Sequence, residues 1–131
     1  LEWESYWRAR NEDPLDDAET LKLASDGRIL EVGQKPKTLA EIEGQYMGLM
    51  KFTVKGIQQL KKIFHEADKI DNLRGKSLKS AYMTDLLQAM IDSGYPVSSV
   101  PVHGGWVEVD TVSDLTSVTT KNRLDEIELS I

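Results

Sequence analysis

The sequence contains no cysteine. Disulfide bonds and thiolate metal sites are therefore excluded. It also lacks an Asn-x-Ser/Thr sequon, a recognisable signal peptide and an apolar run long enough to cross a bilayer. These absences together predict a cytoplasmic protein that makes no membrane contact.

Positive charge is scarce as well. Sixteen Lys and Arg residues stand against 22 Asp and Glu residues, which gives a formal net charge of -6. No cluster of basic residues is dense enough to follow a phosphate backbone, so the sequence argues against nucleic-acid binding. A phosphate-bearing ligand would have to be held by a few local cations or by Mg²⁺.

The size of the chain predicts one domain, residues 1–131, with a single core. A content of 40% hydrophobic and 29% charged residues is typical of a folded globular protein. The first residue is Leu rather than Met, and we therefore expect a fragment of a longer chain.

Local signals predict helices alternating with strands. An Asp-Gly turn between apolar runs predicts a hairpin over residues 21–32. Residues 53–68 and 78–93 have helical periodicity, the short segment 3–7 favours a helix with solvated arginines nearby, and residues 116–131 predict a helical tail. Capping-box patterns begin at Thr38 and Thr111.

Three further stretches predict strands and give the chain an α/β character. Residues 44–52 are apolar almost throughout, as in a central strand covered on both faces. Residues 97–102 and 105–109 predict extended structure separated by a glycine turn. Gly48 inside the first stretch indicates either a bulge or a place where a ligand approaches the backbone.

Asp110 lies where the last predicted strand gives way to a helix. In an open α/β sheet this position is at the edge where ligands bind, and a carboxylate there can hold Mg²⁺. The alternative is that Asp110 only caps the following helix. Taken alone, the local pattern favours the cap.

Other charged positions also have two interpretations. Lys35 follows the hairpin and suits a phosphate, but a solvated loop lysine explains it equally well. Asp85 stands among apolar neighbours in a helix, which suits either a cleft or an ordinary surface. The pair Asp16 and Asp17 is better explained as a solvated loop than as a metal site.

One stretch resembles the closing motif of sugar-phosphate and choline-phosphate nucleotidyltransferases: Gly105, Trp106, Glu108, Asp110, Thr111, Asp114 and Leu115. Residues 32–36, 44–52 and 82–87 resemble the Glu-Lys-Pro element, the central strand and the substrate-side helix of the same family, in the same order. The resemblance extends from about Trp7 to Leu115.

This resemblance implies a mixed, mostly parallel sheet with flanking helices, forming the C-terminal part of a Rossmann-like nucleotidyltransferase domain. It implies Mg²⁺-dependent transfer of a nucleotidyl group from a nucleoside triphosphate to a phosphate- or phosphonate-bearing acceptor. Asp110 would bind the metal ion and Lys35 the acceptor phosphate. The acceptor pocket would be formed by four further residues: Gly48, Asp85, Trp106 and Glu108.

The sequence also departs from the family. Gln34 replaces a frequent Glu, which makes a sugar acceptor less suitable and a phosphonate or other phosphate more so. The glycine-rich nucleotide loop has no counterpart, so we expect the fragment alone to be inactive. Residues 44–52 and 106–111 resemble the choline-phosphate and phosphonate cytidylyltransferases most, which favours CMP as the transferred group. The rival hypothesis is a non-catalytic interaction or homo-oligomerisation domain that kept the fold.

Overall fold

A computed structural model describes residues 3–128 of the chain. Five α-helices and two β-strands are formed within this range: α1 Trp3–Arg10, β1 Leu21–Leu23, β2 Ile29–Val32, α2 Val54–Ile70, α3 Met83–Asp92, α4 Val112–Thr116 and α5 Val118–Glu128. Short 3₁₀ turns at Leu39–Glu41 and Leu78–Ser80 complete the regular structure. No helix in residues 3–128 combines the length and the apolar composition needed to cross a membrane.

The predicted hairpin is confirmed. β1 pairs antiparallel with β2, and the Ala24 amide donates to the Arg28 carbonyl across the turn. Gly27 in that turn has φ of 81°, a conformation that glycine adopts without steric cost. The hairpin ends at Gly33, from which the chain continues into the loop that carries Lys35.

The expected mostly parallel sheet is not formed by the described residues. Their sheet has two antiparallel strands, and parallel pairing is limited to one isolated bridge between Leu21 and Ile42. The predicted strands at 44–52, 97–102 and 105–109 were wrong: all three segments are irregular, apart from one bridge between Arg28 and Ser98. Apolar composition favours burial, but a strand also needs a neighbour to pair with along its length, and within residues 3–128 these segments have none beyond that one bridge.

The predicted helices are mostly confirmed. Thr53 is the N-cap of α2, where its hydroxyl accepts from the Gly56 amide, and Thr111 is the N-cap of α4 in a capping box with Asp114. The helix expected over 78–93 is interrupted. The Asp85 carboxylate accepts from the Tyr82 amide, so Tyr82 is the N-cap and α3 itself begins at Met83. α5 confirms the helical tail as far as Glu128, and the expectation for residues 129–131 lies outside the described part of the chain.

Two hydrophobic clusters hold these elements together. The larger one joins the hairpin to α2 and α3 through Val32, Ile63, Ala67, Leu73, Leu86, Leu87 and Met90. The second surrounds α1 and contains Trp3, Tyr6, Trp7, Ala18 and Ile42, with Trp106 packed against it. The second cluster therefore ties the start of the described chain to the segment that carries the candidate site.

Gly33 is the tightest point between the hairpin and α3. Its φ is 76°, and a Cβ atom placed on it would lie 2.4 Å from the Cβ of Thr84. We expect Gly33→Ala to lower the free energy of unfolding by about 2–4 kcal/mol, because it combines left-handed strain with an overlap on the Thr84 side chain.

Gly48→Ala is the matched control for that measurement. Gly48 has a similar φ of 78° but open space around its Cβ position. Urea unfolding should therefore show a loss of only about 1–2 kcal/mol, from backbone strain alone. Equal losses for the two variants would contradict the proposed close packing of Gly33 on Thr84.

Candidate functional site

A single arginine gathers the carboxylates of the segment 108–114. Arg10, at the end of α1, bonds Glu108 at 2.9 Å through Nη1 and Asp110 at 2.8 Å through Nη2, and its Nε lies 3.5 Å from Asp114. Each nitrogen of the guanidinium thus faces a different carboxylate. The candidate metal ligand Asp110 is therefore part of an ion-pair network.

The network shifts the pKa values of its members. Burial works against the charge on Arg10, but the hydrogen bond to Asp110 and the charges of Asp114 and Glu108 outweigh it and raise the Arg10 pKa. Burial raises the pKa of Glu108, with a further contribution from the Asp110 charge that Arg10 offsets only in part. Arg10 therefore stays ionised and acts as the permanent counter-ion of the cluster.

Aromatic side chains fix both sides of this network. The Glu108 amide donates to the Tyr6 hydroxyl at 2.9 Å, and that hydroxyl donates to the Glu108 carbonyl at 3.2 Å. The Trp106 ring lies 5.5 Å from the Tyr6 ring, edge to face, and 6.2 Å from the Trp7 ring. Side chains of α1 thereby bond the backbone of Glu108, as a neighbouring strand would, and also pack against the Trp106 ring.

Asp110 suits a metal ion only together with the phosphate oxygens of a substrate. Its side chain is 61% exposed, and one carboxylate oxygen is bonded by Arg10. Mg²⁺ takes one or two carboxylates together with phosphate oxygens, which this single accessible carboxylate can satisfy. Within residues 3–128, no group of three or more His, Asp or Glu side chains is arranged to hold a metal ion.

Lys35 faces the loop that precedes the hairpin. Its ammonium donates to the backbone carbonyls of Leu15 and Asp16, the latter at 2.8 Å. An ammonium has three donors, so one stays available for another acceptor. The charge of Asp17, in the same loop, makes a small contribution to the raised pKa of Glu108.

Asp85 has a structural explanation in this fold. It is 3% exposed, both carboxylate oxygens accept from Lys76 Nζ at 2.8–2.9 Å, and one also accepts from the Tyr82 amide. Burial opposes its ionisation, but the bonds from Lys76 and Tyr82 outweigh that effect and lower the Asp85 pKa. A role in substrate binding stays a prediction.

The pKa of Glu19 is affected by carboxylates from two parts of the fold. Burial raises the pKa of Glu19, and the charges of Asp85 and Asp17 raise it further. Asp17 also acts on Glu108. Charges of the loop over residues 15–20 therefore interact with Asp85 and with Glu108.

A cavity of about 260 Å³ lies beside Trp106. It is lined mainly by apolar side chains of the hairpin and of the irregular segments 44–52 and 97–104. Trp106 is the one predicted site residue that lines this cavity within the described part of the chain. Gly48 is exposed with no atom near its Cβ position, so its positive φ explains the glycine better than a close approach does.

The sequence interpretation missed Arg10. The arginines of α1 were expected to be solvated, yet the Arg10 side chain is only 10% exposed, whereas Arg8 is 53% exposed and pairs with Glu4. A signal was present: positions 3, 6, 7 and 10 lie on one helical face, so Arg10 continues the aromatic stripe. An arginine on an apolar face needs partners for its charge, and three carboxylates supply them.

Comparison with known proteins gives one informative similarity. Over 113 residues the chain is 37% identical to a CTP:phosphoglutamine cytidylyltransferase of Campylobacter jejuni. The aligned region is 86% of this chain and 44% of that protein, so the chain spans less than half the length of the relative it matches. No protein-family model and no solved structure matches significantly. The relative is of the cytidylyltransferase type, the same broad class that the sequence motifs resemble.

The Asp85–Lys76 pair makes stability depend on pH. Because the pKa of Asp85 is lower in the folded protein than the usual 3.8, its contribution is fully present above pH 3.8 and is lost as the pH falls through the folded value. We expect Asp85→Asn to lower the free energy of unfolding at pH 7 by about 1–3 kcal/mol, since an amide keeps the Tyr82 bond but not the charge pair.

Urea unfolding at pH 7 and at pH 3 checks this expectation. The difference between wild type and Asp85→Asn should shrink at pH 3, which is below the usual 3.8, because protonation of Asp85 then favours the unfolded chain. Asp68→Asn, at an exposed position of α2, is the control and should change stability little at either pH. A loss of equal size at both pH values would show that the ion pair is not its cause.

Proposed function

We propose that the chain is part of a Mg²⁺-dependent nucleotidyltransferase of the cytidylyltransferase type. The enzyme would transfer CMP from CTP to a small acceptor that carries a phosphate or phosphonate group, with release of pyrophosphate. The observation that carries the proposal is the 37% identity with a cytidylyltransferase over 86% of the chain. The four motifs that resemble this class agree with it.

In this reaction an acceptor oxygen forms a bond to the α-phosphorus of CTP. The bond between that phosphorus and the bridging oxygen to the β-phosphate breaks, and pyrophosphate leaves with the electron pair. Mg²⁺, when bound, supplies charge stabilisation on the phosphate oxygens. Little covalent chemistry is left to the protein, so catalysis depends on positioning and electrostatics.

The described residues suit those tasks in different ways. Asp110 offers an accessible carboxylate as the metal ligand of this part of the chain. Lys35 bonds two carbonyls of the loop before the hairpin, which leaves its third donor for the acceptor phosphate. Trp106 and Glu108 would border the acceptor, with the cavity next to Trp106 available to its apolar part. We assign Gly48 and Asp85 to the same pocket on the family resemblance.

The remaining expectations belong to this proposal as well. The substrates would be a nucleoside triphosphate and a small phosphorylated or phosphonate acceptor, with no role for nucleic acid or membrane. A cytoplasmic location, a homo-oligomeric state and inactivity of the isolated chain stay predictions. Gln34 stands where many members of the resembling family have Glu, and this departure favours a non-sugar acceptor.

Pyrophosphate release by the intact protein tests the proposal. Assays would contain Mg²⁺, CTP and one acceptor at a time, drawn from phosphoglutamine, phosphocholine, 2-aminoethylphosphonate and sugar phosphates. We expect release with one acceptor class and a fall of about 100-fold or more in Asp110→Asn, because an amide does not replace a charged metal ligand.

Asp125→Asn is the matched control. Asp125 is exposed on α5, outside the Arg10 network, and its variant should keep wild-type turnover. No release with any acceptor or nucleoside triphosphate, from a protein shown to be folded by circular dichroism, would refute nucleotidyl transfer. The interaction-domain hypothesis would then gain support.

A further inference from the structure

Arg10 contacts every carboxylate of the candidate site segment. Its guanidinium reaches Glu108, Asp110 and Asp114 through three different nitrogens, at 2.9, 2.8 and 3.5 Å. Among the described contacts, the Asp110 side chain is hydrogen-bonded by Arg10 alone. The position of the Asp110 carboxylate thus depends on this arginine.

Arg10 is itself held firmly. The rings of Tyr6 and Trp7 lie 5.5 and 5.6 Å from its guanidinium carbon, in the range of cation–π attraction. The helix that carries it is fixed at its other end, where the buried indole of Trp3 donates to the Ile42 carbonyl at 3.1 Å. The guanidinium therefore presents its donors from a nearly rigid support.

The carboxylates lack such support of their own. The segment 105–109 has no strand neighbour within the described residues, and Asp110 follows it directly. Glu108 is held by Tyr6, and Asp114 caps α4 through Thr111, but both carboxylates carry the same charge as Asp110. Without Arg10, three carboxylates would lie within the seven residues 108–114, and none of their described partners would be a cation.

We propose that Arg10 is a positioning residue of the nucleotidyl-transfer site. It acts through Asp110, whose carboxylate it fixes in orientation while it offsets the repulsion from Glu108 and Asp114. The inference rests on the proposed function for its catalytic part, whereas the ordering of residues 108–111 by Arg10 stands on the contacts alone. Its geometry requires the three-nitrogen fork of arginine, which a single ammonium cannot reproduce.

The test compares Arg10→Gln, Arg10→Lys and the control Arg8→Gln in the intact protein. Arg8 belongs to the same helix but is exposed and pairs only with Glu4 among its described partners. Amide hydrogen exchange, measured without nucleotide or metal, reports the order of the 108–111 backbone. Pyrophosphate release reports the chemistry, with kcat and KM for CTP determined separately.

We expect Arg10→Gln to accelerate exchange of the 108–111 amides by about tenfold or more, while amides of α2 and α3 exchange as in wild type. We expect its kcat to fall by about 100-fold, the cost of a misplaced reacting group, with a much smaller change in KM. Arg10→Lys should recover only a small part of both effects. Arg8→Gln should match wild type.

A double variant separates positioning from general support of the fold. If Arg10 acts through Asp110, then Arg10→Gln should slow turnover little further in an Asp110→Asn background. Multiplicative losses in the double variant, or exchange that rises equally in all helices, would overturn the proposal. So would exchange of residues 108–111 that is unchanged in Arg10→Gln.

The two proposals fail in different ways. No transfer by the wild-type protein refutes the proposed function and, with it, the catalytic part of the role of Arg10. Exchange then still decides whether Arg10 orders the carboxylate segment. Transfer by wild type together with unaltered kcat in Arg10→Gln refutes the positioning role and leaves the proposed function intact.

Discussion

A backbone amide or carbonyl that leaves water must find a hydrogen-bonding partner, and a sheet supplies such partners to very little of this chain. Among the described residues, β1 and β2 form the sheet and three isolated bridges add single pairs, while the apolar segments 44–52 and 97–109 are irregular. Side chains take over where strands are missing: the Tyr6 hydroxyl satisfies both backbone groups of Glu108. The candidate site is therefore organised by α1 and not by the edge of a sheet.

Local chemistry predicted local structure well. The Asp26-Gly27 turn fixed the hairpin, and Thr111 with Asp114 formed the expected capping box, because each signal needs only a few neighbouring residues. The prediction of a strand over 44–52 was wrong, because pairing depends on a partner strand that the segment itself does not encode. Leu49 and Val100, 81% and 87% exposed, show that apolar composition alone does not ensure burial.

The candidate site was predictable in part for the same reason. Trp106, Glu108 and Asp110 share one short segment, and the structure keeps them together. Arg10 lies about a hundred positions away in sequence, and only the tertiary fold brings its guanidinium to Asp110. Asp85 was assigned to the pocket from the family resemblance, because its apolar neighbours suited a cleft and a surface equally. Neither signal reveals that Lys76 and the Tyr82 amide satisfy its carboxylate.

All three tryptophans of the chain belong to one aromatic cluster. Trp3 and Trp7 lie 6.3 Å apart, Trp7 and Trp106 lie 6.2 Å apart, and the larger hydrophobic cluster contains none. The intrinsic tryptophan fluorescence therefore comes entirely from the junction between α1 and the carboxylate segment. Its emission reports the opening of that junction and does not report the packing of α2 and α3 on the hairpin. That packing needs a separate spectroscopic probe before unfolding can be treated as one transition.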